Sequence, residues 1–384
     1  MHSFRFPPVE VPPQAQALRI EVRQFLADEI AKGSFTPKPN CSSFGLFDPK
    51  FTKLCGERGY IGMTWPKKYG GGERSVLEHF VTMEEMQAAG APVGAHGVAD
   101  RQSGHQILRH GSERARQSLL PRIAAGECYF AIGMSEPDAG SDLAAVRTRG
   151  TRVDGGWSIT GTKVWTSHSH RAHYLIALVR TEPKTEDRHA GLTQFIIDLS
   201  QSGVTLRPIY DLYGGHNFNE VVFDNYIAPD DMIIGEAGEG WKMVTGELAL
   251  ERSAPDRFLS TYQLLAESIR QIGQHPDDRS ANEIGRFVAH LATLRRMSGS
   301  IAGMIERGDR PAVEAACVKD LGTAFEREIP DTFRHLLPSE PRIGASDAYD
   351  EMIGTAILRA PSFTIRGGTR EILRGMIARG LGLR

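Results

Sequence analysis

An α+β chain in three successive parts, helical, then strand-rich, then helical, is predicted by three observations. From about Gln14 to Gly126 apolar residues recur three or four positions apart; from Tyr129 short runs of β-branched and aromatic residues lie between Gly, Asp and Ser turns. Helical spacing then returns behind a hinge of Gly235, Gly238 and Gly240. The expected boundaries are residues 1–128 for an N-terminal all-α domain, 129–233 for a middle β domain, and 234–384 for a C-terminal α-helical bundle.

The first part contains ALRIEVRQFLADEIA, SVLEHFVTMEEMQAAG and ERARQSLLPRIAAG, each with one apolar face. Between them GMTWPKKYGGGERS, Gly62 to Ser75, carries Pro66 and three consecutive glycines and reads as a connecting loop. In the second part WSITGTKVWTS, HYLIALVRT, TQFIIDLS and NEVVFDNYI have strand composition, with turns such as Asp154-Gly155-Gly156. The third part opens with GEAGEGWKMVTGELALERSA and continues through FLSTYQLLAESIRQIG, ANEIGRFVAHLATLRRMSGSIAGMIERG and PAVEAACVKDLGTAFEREI. Antiparallel packing of these helices is the simplest way to bury so many apolar faces.

Composition narrows the function. A chain of 384 residues with 40% hydrophobic and 24% charged residues is that of a globular enzyme, with room for two or three packed units. The formal net charge of -2 leaves no basic surplus for nucleic acid, so a small-molecule partner is expected. Cys41, Cys55, Cys128 and Cys317 show no CxxC pairing, which fits a reducing interior. No apolar run approaches the roughly 20 residues of a membrane span. The opening MHSFRFPPVEVPPQAQALR has neither a signal peptide's pattern nor that of a transit peptide, so a cytoplasmic location is expected.

Two segments carry chemistry. Tyr129 to Asp142, YFAIGMSEPDAGSD, runs from a short apolar strand into a loop of hydroxyls and backbone donors, suited to the edge of a flat heteroaromatic ring. By local composition alone an ordinary strand-to-turn passage is the better reading. Thr364 to Gly382, TIRGGTREILRGMIARGLG, places Gly367 and Gly368 before a helix beginning at Thr369, whose free N–H groups can receive an anionic or polarised oxygen.

MSEPDAGSD together with KVWTS, Lys163 to Ser167, resembles the flavin-binding signature of the acyl-CoA dehydrogenase family. GMTWPKKYGGG and LLPRIAAGE agree with it, and the order of the three parts matches over nearly the whole chain. The resemblance implies that fold, FAD as cofactor, and an acyl-CoA substrate. It places Ile132, Met134 and Ser135 along the flavin ring, Trp165 packed on it, Ser167 near its reactive edge, and Ser141 nearer the acyl-CoA. Thr369 and Glu371 fall at cofactor-contacting positions.

The catalytic base is where this sequence departs from the commoner pattern. Many family members have a glutamate immediately before the Gly-Thr pair; here Gly367 stands there. A second group supplies the base from an early helix of the C-terminal bundle within Leu-Glu-Arg, and LALERSAP, Leu248 to Pro255, puts Glu251 at that position. Glu247, one helical turn earlier, would raise the Glu251 pKa if both faced one pocket. Pro255 cannot donate to the Glu251 carbonyl, which predicts a kink or helix end. Without the resemblance, Glu251 reads rather as a solvated carboxylate or a structural partner of Arg252 or Arg257, since surface charges are the norm. Arg252 carries over to CoA binding, although Ala249 replaces an Asp common just before the motif.

Two adenine-side segments have no counterpart. RQIGQHPDDRS stands where Arg-x-x-Phe-Gly is usual, and a later Gln-x-x-Gly-Gly is missing. The histidines of TSHSHRAHY, His168, His170 and His173, have no Cys or carboxylate to complete a ligand set, so no metal is expected.

The resemblance, with Glu251 at the second group's base position, implies α,β-dehydrogenation of an acyl-CoA in fatty acid or acyl-CoA metabolism. Glu251 would act as base, with a thioester-oxygen contact from the Gly367 N–H and hydride transfer to flavin N5. The resemblance further implies an electron-transfer flavoprotein as acceptor and a homodimer or homotetramer as assembly. Two other expectations fit the same segments: a partner-dependent or non-catalytic subunit of a mixed oligomer, and an acyl-CoA oxidase or flavin oxygenase on the same fold.

Overall fold

The computed structural model describes residues 4–38, 46–212 and 214–383; the side chains of 246–251 lie outside that description. Among the described residues five α-helices come first: α1 Pro13–Ala31, α2 Pro49–Glu57, α3 Val76–Ala88, α4 Gly104–His110 and α5 Glu113–Ala124. Eight strands follow: β1 Phe130–Gly133, β2 Arg149–Val153, β3 Gly156–Ser167, β4 Tyr174–Arg180, β5 Leu192–Asp198, β6 Val204–Tyr210, β7 His216–Pro229 and β8 Ile233–Ile234. Helices α6 Gly240–Glu251, α7 Tyr262–Ile272, α8 Asp278–Glu306, α9 Ala312–Phe333, α10 Ala348–Phe363 and α11 Arg370–Gly380 complete the chain. The α+β class and the helical, strand, helical order are as the sequence predicts.

The helix boundaries have local causes. Proline occupies the first turn of α1, where its missing N–H costs nothing. At α3 Ser75 accepts from the Glu78 N–H while Glu78 reaches back to the Ser75 N–H, a reciprocal capping box. Helix α6 ends at Glu251, four residues before Pro255, as the missing donor requires.

The described residues cluster into two compact units. One comprises residues within 1–45, 74–92 and 249–384, so α1 and α3 join the C-terminal helices. Its core gathers Phe258, Leu264, Phe287, Ile301, Phe325, Ile329, Phe333 and Ile353. In the same unit the buried Arg19 of α1 reaches Glu84 and Glu85 of α3, both at 2.5 Å, and Arg295 of α8 reaches Glu84 at 2.6 Å. Burial alone would raise the Glu84 carboxyl, but hydrogen bonds from Arg295 and Arg19 hold it below its ordinary value.

The other unit comprises residues within 46–73 and 93–248 and holds the sheet. Strand order is β6-β7-β3-β2-β4-β5-β8, with β1 added parallel to β4 so that Ile132 lies opposite Ile176. The alternate residues Leu175, Ala177 and Val179 of β4 pack with Phe195 and Ile197 of β5, Val221 and Phe223 of β7, and Ile159 of β3. Between Lys163 and Thr166 the β3–β7 register slips: Lys163 opposes Val221 but Thr166 opposes Asn219, one extra residue on β3. That bulge re-aims the side chains beside it. Among the described residues, Cys55, Cys128 and Cys317 are free thiols and no helix is long and apolar enough to cross a membrane; Cys41 lies outside the description.

Candidate active site

In the sheet unit the candidate site is built on the β3 bulge. Trp165 has φ 57°, a left-handed conformation that non-glycine residues seldom adopt, and its side chain is 61% exposed although it sits within a strand. Its indole meets the Phe218 ring in a T-shaped contact, centroids 6.0 Å apart. An exposed tryptophan in a strained strand position is not a core aromatic, and such outliers concentrate at ligand sites.

Met134 and Ser135 are held beside it from behind. The Val164 N–H donates to the Ser135 carbonyl at 2.9 Å, and the Lys163 ammonium donates to the Met134 carbonyl at 3.2 Å and to Glu136 Oε1 at 2.7 Å. Glu136 also accepts from the Arg147 and Thr148 N–H groups at 2.6 and 2.9 Å, so its carboxylate fastens the loop to the residues just before β2. Burial would raise the Glu136 carboxyl, but the Lys163 ammonium holds it below its ordinary value. Lys163 is fully enclosed, and desolvation pushes its pKa down to about 8 despite Glu136. Sequence reading missed this pair. The signal was present, since both residues stand inside the two quoted motifs.

Of the other expected residues in this unit, Ile132 is half-buried on β1 and Ser167 half-buried at the end of β3, opposite Phe218. Ser141 is exposed just past the Glu136–Ala139 turn, next to Asp142, which pairs with Arg188. Thus Met134 and Ser135, just past β1, are bonded to the part of β3 that carries Trp165 and Ser167, and Ser141 stands on the loop that follows them.

The histidines pack against neighbouring rings and amides. The ring of His170 stacks on His216 at 3.7 Å, and Asn219 ties them together: its oxygen accepts from His216 Nε2 at 2.8 Å, while its amide donates to His170 Nδ1 at 3.0 Å. The same amide donates to the Thr166 carbonyl at 3.2 Å, bracing the strand beside the bulge. Burial, then the His216 and Arg171 charges, push the His170 pKa down to about 4. His173 Nδ1 accepts from the Tyr129 N–H at 3.1 Å. Among the described residues no group of three or more His, Cys, Asp or Glu is placed to hold a metal ion.

In the helical unit the expected residues meet around the loop before α11. Gly367 and Gly368 have φ 61° and 98°, conformations open to glycine without strain. Thr369 is the N-cap of α11, accepting from the Ile372 N–H at 3.4 Å, and Glu371 lies exposed in the first turn. Its own N–H and the Thr369 hydroxyl draw the Glu371 carboxyl below its ordinary value. Arg252 is buried; its guanidinium donates to the Met376 sulfur at 3.0 Å, and a Cβ added to Gly368 would meet it at 3.7 Å. The residue after Glu251 therefore packs on the Gly-Gly loop. Glu251 itself is the last residue of α6, and its side chain, like that of Glu247, lies outside the described residues.

An FAD ring finds suitable groups in the sheet unit. An exposed indole supplies a stacking surface, and a loop whose carbonyls are fixed by Lys163 and Val164 supplies a rigid edge.

Comparison with known proteins gives the family. The acyl-CoA dehydrogenase N-terminal domain matches residues 12–127, and the middle domain of the same family matches residues 131–226. The chain is 30% identical to the acyl-CoA dehydrogenase IpdE1 of Mycobacterium tuberculosis, over 96% of this chain and 97% of that protein. It is also 30% identical to the acyl-CoA dehydrogenase FadE34 of the same organism over 83% of this chain, and that match spans only 44% of FadE34. Among solved structures, the Tcur3481-Tcur3483 steroid ACAD superposes with a TM-score of 0.85 at 26% identity, covering 99% of this chain and all of the other.

Proposed function

The chain belongs to the acyl-CoA dehydrogenase family of FAD enzymes, and from that premise we propose that it introduces the α,β double bond into an acyl-CoA with Glu251 as the base. The Glu251 carboxylate takes the α-proton, and the Gly367 N–H donates to the thioester oxygen on which the enolate charge gathers. Bound FAD would accept the β-hydrogen with its electron pair at N5. One observation carries this reading: Arg252, next to Glu251, is buried against Met376 and the Gly367–Gly368 loop, so the end of α6 is joined to the segment whose usual glutamate is absent.

The remaining roles follow the same reading. Met134, Ser135, Ile132, Trp165 and Ser167 hold the flavin ring, Thr369 and Glu371 contact the cofactor, and Ser141 and Arg252 contact the acyl-CoA. The functional domains are 1–128, 129–233 and 234–384, the setting is the cytoplasm, and an electron-transfer flavoprotein receives the electrons. A base supplied from α6 and the likeness to a steroid enzyme both favour a bulky acyl group. Anaerobic titration with straight-chain, branched and ring-bearing acyl-CoAs tests this. Stoichiometric bleaching with formation of the enoyl-CoA supports it, and a flavin-loaded protein that no thioester bleaches contradicts it.

A second reading is favoured by the absent adenine-side segments and by a neighbour named for two chains together. In it, this chain binds FAD only within a mixed oligomer. The absorption spectrum of the purified chain separates the two: yellow and near-stoichiometric in flavin for the first, colourless until a partner is added for the second.

A further inference from the structure

Helix α9 carries three buried charged residues that grip the loop around Gly367 from both sides. Lys319, with no exposed surface, donates its ammonium to the Gly368 carbonyl at 2.6 Å. Asp320 accepts from Arg370 at 2.7 Å and from Arg374 at 3.2 Å, which fixes the first turn of α11. Glu326, also fully buried, accepts from Arg366 at 3.0 Å, and its other oxygen takes the Ser260 N–H at 2.9 Å. Lys319 and Glu326 are seven residues apart, two helical turns, and so share one face of α9. Gly322 lies between them, and a Cβ there would sit 2.5 Å from the Arg257 carbonyl. That missing side chain lets α9 approach the turn that follows Glu251.

Two adjacent glycines are the most permissive backbone the chain can offer, and left alone they would sample both signs of φ. Here the residue before the pair and the carbonyl at its end are each tied to a buried charge on one helix. Burying three charged groups is costly and needs compensation, so their convergence on a single short loop points to a task there. We propose that Lys319 is a positioning residue for dehydrogenation, orienting the Gly367 N–H toward the thioester oxygen by holding the Gly368 peptide, with Arg366 and Glu326 anchoring the other end. The proposal rests on the reading of Gly367 as the thioester donor and of Glu251 as the base.

The test compares wild type with Lys319→Met and Lys319→Gln, using whichever acyl-CoA of the panel bleaches the wild-type flavin fastest. Three readouts are taken: α-proton exchange of that thioester in D2O, the split between kcat and KM, and amide exchange of the peptide spanning residues 364–372. Lys319→Met should keep its FAD and leave KM within about threefold, while α-proton exchange and kcat fall about 100-fold, the scale of a small misplacement of a reacting group. Amide exchange in 364–372 should quicken. Lys319→Gln, whose amide can still donate, should recover part of both rates. Unchanged α-proton exchange in a flavin-loaded Lys319→Met protein overturns the proposal. If Lys319→Met does not hold flavin, Arg366→Lys reads the loop from its other end, with the same loss expected and the same null effect decisive against the clamp. Glu251→Gln run alongside keeps the two claims apart: persistent exchange there removes the base assignment, whereas its loss beside an unaltered Lys319→Met removes only the clamp.

Discussion

The Lys163 ammonium lies 2.7 Å from the Glu136 carboxylate, inside the sheet unit and out of reach of solvent, and this pair joins the two sequence motifs into one site. Through it the loop carrying Met134 and Ser135 is pinned to the strand that carries Trp165 and Ser167. Lys163→Met leaves the Glu136 charge buried without its partner and should cost about 3 to 5 kcal/mol, read as a fall in the urea midpoint. Pairing it with Glu136→Gln should restore much of the stability but not FAD affinity. Full recovery of both would show that the pair does not shape the flavin loop.

The same lysine gives a pH signature. The unfolded chain keeps this proton up to the ordinary value of 10.5, whereas the folded protein releases it at about 8. Between those values the unfolded state binds more protons, so this residue makes stability rise with pH across that window. In denaturation curves at pH 8 and pH 10, the difference between wild type and the doubly neutral variant should change in that sense.

His170 makes a prediction on the acid side. Its pKa of about 4 in the folded protein, against an ordinary 6.5, means that the unfolded chain takes up this proton first as pH falls. The stability His170 contributes is complete above 6.5 and is lost progressively toward 4. By NMR the His170 ring should stay neutral at pH 5.5. Replacing Asn219 by Ala should remove the brace on Thr166 and shift the flavin spectrum of the loaded protein.

Trp165→Ala separates binding from folding. Because the indole is 61% exposed, the flavin-free protein should lose no more than about 0.5 kcal/mol of stability. FAD should dissociate more readily and its fluorescence should be less quenched. A large loss of stability with unchanged flavin affinity would return Trp165 to an ordinary packing role.

Much of this was legible beforehand because each piece had a local cause. The Pro255 break set the end of α6, the Gly367-Gly368-Thr369 order set the loop and cap of α11, and the β-branched and aromatic run around Lys163 set β3. The bulge at Trp165 was not legible, since it depends on the register with β7 and on Asn219, more than fifty residues further along. Lys319, Asp320 and Glu326 were hidden for a related reason. In a helical pattern they read as the polar face of α9, and only the fold reveals that this face meets the Gly-Gly loop. The grouping of α1 and α3 with the C-terminal helices is likewise a matter of long-range packing, carried by Arg19, Glu84 and Arg295.

One stopped-flow experiment tests Glu251 as the base directly. Wild type and Glu251→Gln, each loaded with FAD, are mixed anaerobically with the best acyl-CoA of the panel, and flavin bleaching is followed. The Gln variant should bind the thioester with similar affinity while bleaching slows by at least about a thousandfold, the range expected when a general base is removed. Bleaching at close to the wild-type rate would contradict the assignment of the base to the end of α6.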